Sequence, residues 1–285
     1  MKILITGYNG MLGSDLTEVL KNENHELILT DVEELDITDL EQVKKMFKKE
    51  KPEAVINVAA YTDVDGCETN RELAYSVNTL GPKNLAIASN EVGTKLLHIS
   101  TDYVFPGKNT KPYTEEDKTG PKSYYGLTKL QAEEFIKKNM NNYFIVRTAW
   151  LYGINGKNFV KTMLNLAKNN PEITVVNDQR GSPTFTVDLA NAICELVKTD
   201  KYGIYHLTNS GDCTWYDFAK NIFELANVDV KVKPVSTDEY PTPTKRPEYS
   251  VLSNEKWNNS GFKPLQNYKN ALKEYIWIEL ADELD

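Results

Sequence analysis

Apolar residues along this chain fall into two alternating spacings. Short, nearly unbroken runs at 2–6 (KILIT), 26–31 (ELILTD), 54–60 (AVINVAA), 95–101 (KLLHIST) and 143–150 (YFIVRTAW) have the length and density of strands buried on both faces. Between them apolar positions recur every three or four residues. Leu12, Leu16, Val19 and Leu20 do so after the first run, and the segments 39–50, 81–93 and 123–135 follow the later ones. Strand and helix signals alternating at this pitch predict βαβ units and a parallel sheet.

Beyond residue 150 the alternation loosens. Helical spacing is clear at 158–170, 186–200 and 214–227, and short strand-like runs occur at 173–177 and 203–208. The proline-rich stretch 232–250 (VKPVSTDEYPTPTKRPEYS) reads as a loop wrapping over other elements. The expected class is therefore α/β, a Rossmann-type doubly wound parallel sheet with a smaller C-terminal substrate lobe. Residues 1–150 would form the nucleotide-binding domain with elements returning around 178–208, and 151–177 with 209–285 would form the lobe. No internal repeat or low-complexity tract interrupts this.

Composition changes the picture only by exclusion. The 285 residues carry a formal charge of −8, 40% are hydrophobic and 26% charged, and the pI is near 5.2. Acidic balance without a basic cluster argues against nucleic acid or anionic membrane as a partner. Cys67, Cys194 and Cys213 share no metal-ligand spacing, so reduced thiols, and neither zinc nor disulfides, are expected. The N-terminal apolar run is too short for a signal peptide and no run approaches a membrane span, so the cytoplasm is the expected compartment.

Candidate chemistry begins after the first strand, at Gly7-Tyr8-Asn9-Gly10-Met11-Leu12-Gly13. A GxxGxxG between strand and helix allows a tight turn, close backbone approach to a pyrophosphate, and close helix packing. Asp31, ending the second strand, stands where a carboxylate accepts from a ribose 2′-hydroxyl and repels a 2′-phosphate; the plain alternative is a turn aspartate. No arginine follows nearby, so NADH is favoured, with NADPH as the alternative. By position alone, Asp36 and Ile37 are placed against the adenine, and Ala59, Ala60 and Tyr61 beside the pyrophosphate crevice.

The segment SYYGLTKLQAEEF places Tyr125 and Lys129 at i and i+4, on one helix face. A lysine ammonium beside a phenol would pull its pKa toward neutrality and can also bond the nicotinamide ribose, suiting the pair to acid–base work. The preceding strand ends in Ser100, Thr101 and Asp102, at the edge that faces a cofactor crevice in such sheets. Thr101, with Ser100 as the alternate, is the hydroxyl expected to meet a substrate carbonyl. Tyr124 is read as structural.

These features resemble the extended short-chain dehydrogenase/reductase superfamily. Within it the motifs ILITGYNGMLG, DITD, VINVAAYTDVDGCE, VNTLGPKNLA, HISTDYVFPG, YYGLTKLQAE, VRTAWLYG, DQRGSPT and KRPEYSVLSNEK are similar to those of the dTDP-4-dehydrorhamnose reductases over nearly the whole chain. The resemblance implies NADH-dependent reduction of the C4 ketone of dTDP-4-dehydro-6-deoxy-L-mannose. Tyr125 would be the proton donor, Lys129 its assistant and Thr101 the group orienting the keto oxygen. It further implies that Asp102 and Trp150 contact the sugar and that Arg246 covers the nucleotide. The residue-level alternatives are a turn cap for Asp102, plain core for Trp150, and a carboxylate partner for Arg246. Some members use two glutamates to hold a magnesium-bridged dimer, whereas this chain has Asp15 and Asp188 there. No metal is therefore expected, Mg2+ being the disfavoured alternative, and monomer and homodimer stay open. Rival readings are a nucleotide-sugar epimerase or dehydratase on the same scaffold, and a non-catalytic regulatory subunit like that of methionine adenosyltransferase. The dehydratase lacks its expected acidic pair, since Asp102-Tyr103 follows Thr101.

Overall fold

A computed structural model describes residues 1–281, so the last positions of the segment 209–285 lie outside the described residues. The first half alternates as its apolar spacing requires. β1 (Lys2–Thr6), α1 (Met11–Asn22), β2 (Glu26–Thr30), α2 (Leu40–Glu50) and β3 (Ala54–Asn57) come first. Two short helices follow, α3 (Val64–Thr69) and α4 (Arg71–Tyr75). A single π-helical turn (Ser76–Leu80) then leads into α5 (Gly81–Val92). β4 (Lys95–Thr101), α6 (Tyr124–Asn139) and β5 (Tyr143–Thr148) complete this half.

The strands expected at 54–60 and 143–150 stop early, at Asn57 and Thr148, because the chain must leave the sheet to shape the loops beyond its carboxyl edge. The short helices 64–75 were not legible as helices, since each is only five or six residues long.

The second half contains β6 (Leu151–Tyr152), α7 (Phe159–Ala167), β7 (Glu172–Val176), β8 (Arg180–Gly181), β9 (Thr184–Phe185) and α8 (Thr186–Val197). It continues with β10 (Gly203–His206), β11 (Cys213–Thr214), α9 (Trp215–Leu225), β12 (Lys231–Val235), α10 (Glu255–Asn259) and α11 (Tyr268–Ala281). The proline-rich stretch is thus not loop throughout. Its first residues form β12, which pairs in parallel with β7 alone. Pro234 is tolerated there because the strand lies at an edge and needs no N–H on its open side.

Six parallel strands form the main sheet in the order β10-β5-β4-β3-β1-β2, with helices on both faces. Alternate side chains of β1 go to opposite cores. Ile3 and Ile5 join Leu12, Leu16 and Ile193 on the side of α1 and α8, while Leu4 joins Val43, Phe47 and Leu85 on the side of α2 and α5. A further core of Tyr152, Phe185, Phe218, Leu272 and Tyr275 lies in the later segments. Trp257 and Leu265, which position in the chain places with the lobe, are in the core of the sheet domain. Among the described residues no helix is long and apolar enough to cross a membrane.

Candidate active site

The glycine turn closes tightly on β3. Gly7 has φ +75, and a Cβ there would meet the Ala59 backbone at 2.8 Å, so a side chain would force the turn away from the sheet. Gly7 N–H is held 2.8 Å from the Thr30 carbonyl of β2. The result is a cleft of about 280 Å3 lined by Thr6, Gly7, Gly10, Asp31, Asp36, Ile37, Ala59, Ala60 and Val77. Asn9, Met11, Leu12, Gly13 and Tyr61, also expected to hold cofactor, do not line it. Leu12 is turned into the core, and Met11 packs toward Gly153 and Gly156.

Asp31 uses one carboxylate oxygen to accept from Val32 N–H at 2.8 Å, so its turn role and its place in the cleft coexist. Its own N–H donates to Glu34, which brings a second carboxylate to this end of the cleft. Asp36 accepts from both the N–H and the hydroxyl of Thr38.

Sequence reasoning missed Asn78, wholly buried in the π-helical turn. Its side chain accepts from Tyr61 N–H at 2.8 Å and donates to the Tyr61 carbonyl at 2.9 Å, pinning the loop that follows β3. The only signal was its place in VNTLGPKNLA.

The tyrosine helix is set by its first turn. The Ser123 side chain caps α6 by accepting from Gly126 N–H at 3.1 Å, and a Cβ on Gly126 would collide with the Tyr103 carbonyl. The helix start therefore lies directly on the turn Asp102–Val104, and the buried Tyr125 hydroxyl is brought near Thr101 and Asp102. Tyr103 packs edge-on against the Tyr125 ring at 5.6 Å. Thr101 Oγ1 donates to Asp102 Oδ1 at 3.0 Å, while Asp102 Oδ2, buried, has no hydrogen-bond partner among the described residues.

Electrostatics here depart from the sequence expectation. Burial of the Tyr125 hydroxyl, and secondarily the Asp102 carboxylate, raise the phenol above its ordinary range. Lys129 does not oppose this. It is buried with its amine 3.4 Å from His98 Nε2, and burial lowers it to about 8, with Glu133 opposing. The i, i+4 spacing puts both residues on one face, but the lysine side chain is drawn inward to the sheet. Asp102 is raised to about 6 by burial, which outweighs the opposing Thr101 hydrogen bond.

The remaining expected contacts are distributed around this centre. Trp150 is half-buried with φ +49, stacked on Trp215 at 3.4 Å and 4°, in the loop after β5. Trp215 was not singled out, because nothing in sequence separates it from a core aromatic. Arg246 takes the carboxylate alternative: it pairs with Asp65 of α3 at 3.1 Å, and Thr244 N–H and hydroxyl bond the same helix. Arg246 nonetheless borders Tyr103 and a small cavity lined also by Lys122 and Pro247.

Asp15 accepts from the Thr186 hydroxyl, and Asp188 accepts from Asn209 at 2.6 Å and Gln266 at 3.1 Å. The same Gln266 amide nitrogen donates to Glu274 at 3.0 Å, so a second carboxylate stands near Asp188. The one group of three potential ligands brought together among the described residues is Glu23, His25 and Cys194, where Lys198 already pairs with Glu23.

Residues 1–280 match the family model described as the RmlD substrate binding domain. A crystal structure of a dTDP-4-dehydrorhamnose reductase from Clostridium acetobutylicum is 51% identical, covers 99% of this chain and 100% of its own, and superposes with a TM-score of 0.96. A dTDP-4-dehydrorhamnose reductase from Bacillus anthracis, solved in complex with NADP, is 45% identical over 98% of this chain and 99% of its own, with a TM-score of 0.95. The spore coat polysaccharide biosynthesis protein SpsK of Bacillus subtilis is 43% identical over 96% of both chains.

Proposed function

The chain belongs to the family described as the RmlD substrate binding domain, and from that membership we propose that it is a reductase of nucleotide-linked keto sugars. Its substrate in this reading is dTDP-4-dehydrorhamnose, whose C4 ketone becomes the alcohol of dTDP-L-rhamnose. The observation that carries the reading is the meeting of Thr101, Asp102 and Tyr125 at the carboxyl end of β4, in the same sheet whose β1 and β3 ends form the glycine cleft. The cleft suits a dinucleotide because Gly7, Gly10, Ala59 and Ala60 line it with small residues, and the tight turn at Gly7 lets backbone come close to a pyrophosphate.

A nicotinamide cofactor, when bound, supplies the hydride. Tyr125 holds a proton at its phenol oxygen and gives it to the alkoxide that develops at C4. Its raised pKa keeps that proton in place through neutral pH. Thr101, whose hydroxyl bridges toward Asp102, orients the keto oxygen. Lys129 sits one turn along as the assisting residue of the pair, its buried amine held at His98. Asp102, with a free buried oxygen, and the Trp150–Trp215 pair are placed for the sugar.

NADH is the preferred reductant in this reading. Asp31 and Glu34 place two carboxylates at one end of the cleft, and among the described residues no lysine or arginine lines it. A 2′-phosphate would meet like charge there. The NADP held by the Bacillus anthracis relative makes the ratio worth measuring. Fluorescence titration is expected to give NADH a Kd lower than that of NADPH by roughly tenfold, about 1.4 kcal/mol. Asp31→Ala should narrow the gap, and equal affinities in the unaltered protein would remove Asp31 as the selector.

The deciding assay is oxidation of NADH on addition of enzymatically generated dTDP-4-dehydrorhamnose. Tyr125→Phe should lose on the order of 10²–10⁴-fold in turnover while still binding NADH. A fully active Phe variant would strike Tyr125 from the mechanism. Tight NADH binding without turnover in the unaltered protein would reject the substrate.

A further inference from the structure

A row of polar side chains crosses the sheet beneath the tyrosine helix. Thr6 Oγ1 donates to Asn57 Oδ1 at 2.7 Å, Asn57 Nδ2 lies 2.9 Å from His98 Nδ1, and His98 Nε2 lies 3.4 Å from Lys129 Nζ. Parallel register puts Thr6 opposite Asn57 and Asn57 opposite His98, so β1, β3 and β4 present the three side chains side by side. All four residues are buried, so each polar atom depends on its neighbour and not on water.

The ring nitrogens of His98 fix what this row can do. In one arrangement the Asn57 amide donates to Nδ1, the imidazole is neutral with its hydrogen on Nε2, and Nε2–H donates to an unprotonated Lys129 amine. With the amide turned over, Nδ1–H donates to Asn57 and Nε2 accepts from the Lys129 ammonium. The imidazole is neutral in both, and the two differ by one proton on the lysine. Burial and neighbouring Lys129 hold His98 well below its ordinary range, while Lys129 itself lies near 8, within reach of neutral pH. The other titratable group facing this pair is Glu133, locked to Arg147 of β5 at 2.7 Å, while Tyr125 lies one turn along the same helix face.

We propose that His98 is a positioning residue for the reduction: it seats the Lys129 amine and, by reversing the polarity of the Thr6–Asn57–His98 row, accommodates either protonation state of that lysine. The inference rests on the reading of Lys129 as the partner of Tyr125. An ammonium that loses its buried acceptor is destabilised, so removing the imidazole lowers the pH at which Lys129 gives up its proton.

The test is the pH profile of kcat/KM for NADH-dependent reduction in four proteins: the unaltered chain, His98→Leu, His98→Asn and His98→Gln. Asparagine can still meet Asn57 but is too short for Lys129, whereas the glutamine amide oxygen reaches the place of Nε2. The basic limb should move toward acid by about half a pH unit or more in the Leu and Asn variants. In the Gln variant it should stay within about 0.2 unit of the unaltered protein.

Melting curves identify variants that fail to fold, and the Asn–Gln comparison decides if Leu does not fold. An unmoved limb in folded Asn or Leu variants overturns the proposal, as does a Gln variant that moves as far as they do. The pH dependence of the NADH Kd, read by fluorescence on the same proteins, judges His98 by the same criteria even if the sugar is not reduced. Absence of turnover in the unaltered chain therefore counts against the substrate and not against His98.

Discussion

At the scale of single residues the site is governed by burial more than by charge pairing. Asp102 shows this most plainly. Its carboxyl is held near 6, above its usual range, because desolvation outweighs the Thr101 and backbone hydrogen bonds. A group whose folded pKa is raised keeps its stabilising contribution at low pH and loses it as pH rises through the folded value. Between the ordinary carboxylate range and about 6, the native protein therefore binds more protons than the unfolded chain, and stability from Asp102 falls as pH rises. Asp102→Asn keeps the shape and removes the buried charge. It should raise the unfolding free energy at pH 7.5 by on the order of 2–3 kcal/mol, and by far less near pH 4. Urea melts at the two pH values check this, and an equal effect at both would mean that the charge is not the cause. The identity of Tyr125, Thr101 and Asp31 as candidates was legible from residue type and spacing. The direction of the tyrosine shift was not, because burial of the phenol depends on what packs around it in space, the turn Asp102–Val104 included.

At the scale of elements, apolar spacing located every strand of the main sheet and most long helices, since burial on one face or two imposes those periods directly. It did not locate the π-helical turn at Ser76–Leu80 or the edge strand β12, where hydrogen bonding and not hydrophobicity is decisive. The π turn matters to the site because it aims Asn78 at both backbone groups of Tyr61. Asn78→Leu would leave a backbone donor and acceptor unpaired in a partly buried loop, costing about 2–4 kcal/mol. The same loop carries Ala59 and Ala60 of the cleft proposed for the cofactor, so the NADH Kd should rise alongside. Unfolding in urea and fluorescence titration read the two effects. A variant with unchanged stability would show that Asn78 fills space and no more.

At the scale of the molecule, the chain leaves the sheet domain after β5 and returns to it repeatedly. α8 packs on α1, β10 completes the sheet beside β5, and Trp257 of α10 enters the same core. Residues 1–150 thus contain the whole glycine cleft but not the whole core that supports it. A fragment of residues 1–150 should show no cooperative thermal transition and no saturable NADH binding, because the part of the sheet face that α8 and Trp257 cover beside α1 would lie open to water. A fragment that melts cooperatively and binds NADH would show the returning elements to be dispensable.

What the sequence determined by itself is what local pattern can encode. This covers the alternation of strand and helix, the glycine turn at the first strand's end, the acidic residue ending the second, and the tyrosine and lysine one helical turn apart. The family resemblance belongs here too, being carried by short motifs. Tertiary structure alone decided which of those residues meet. It brought Thr101 and Asp102 to Tyr125 across the seat that Gly126 leaves for Tyr103, and it tied Arg246 to Asp65. It also set the pKa of each buried group, because desolvation depends on everything packed around a side chain and sequence spacing records only what lies nearby along the chain.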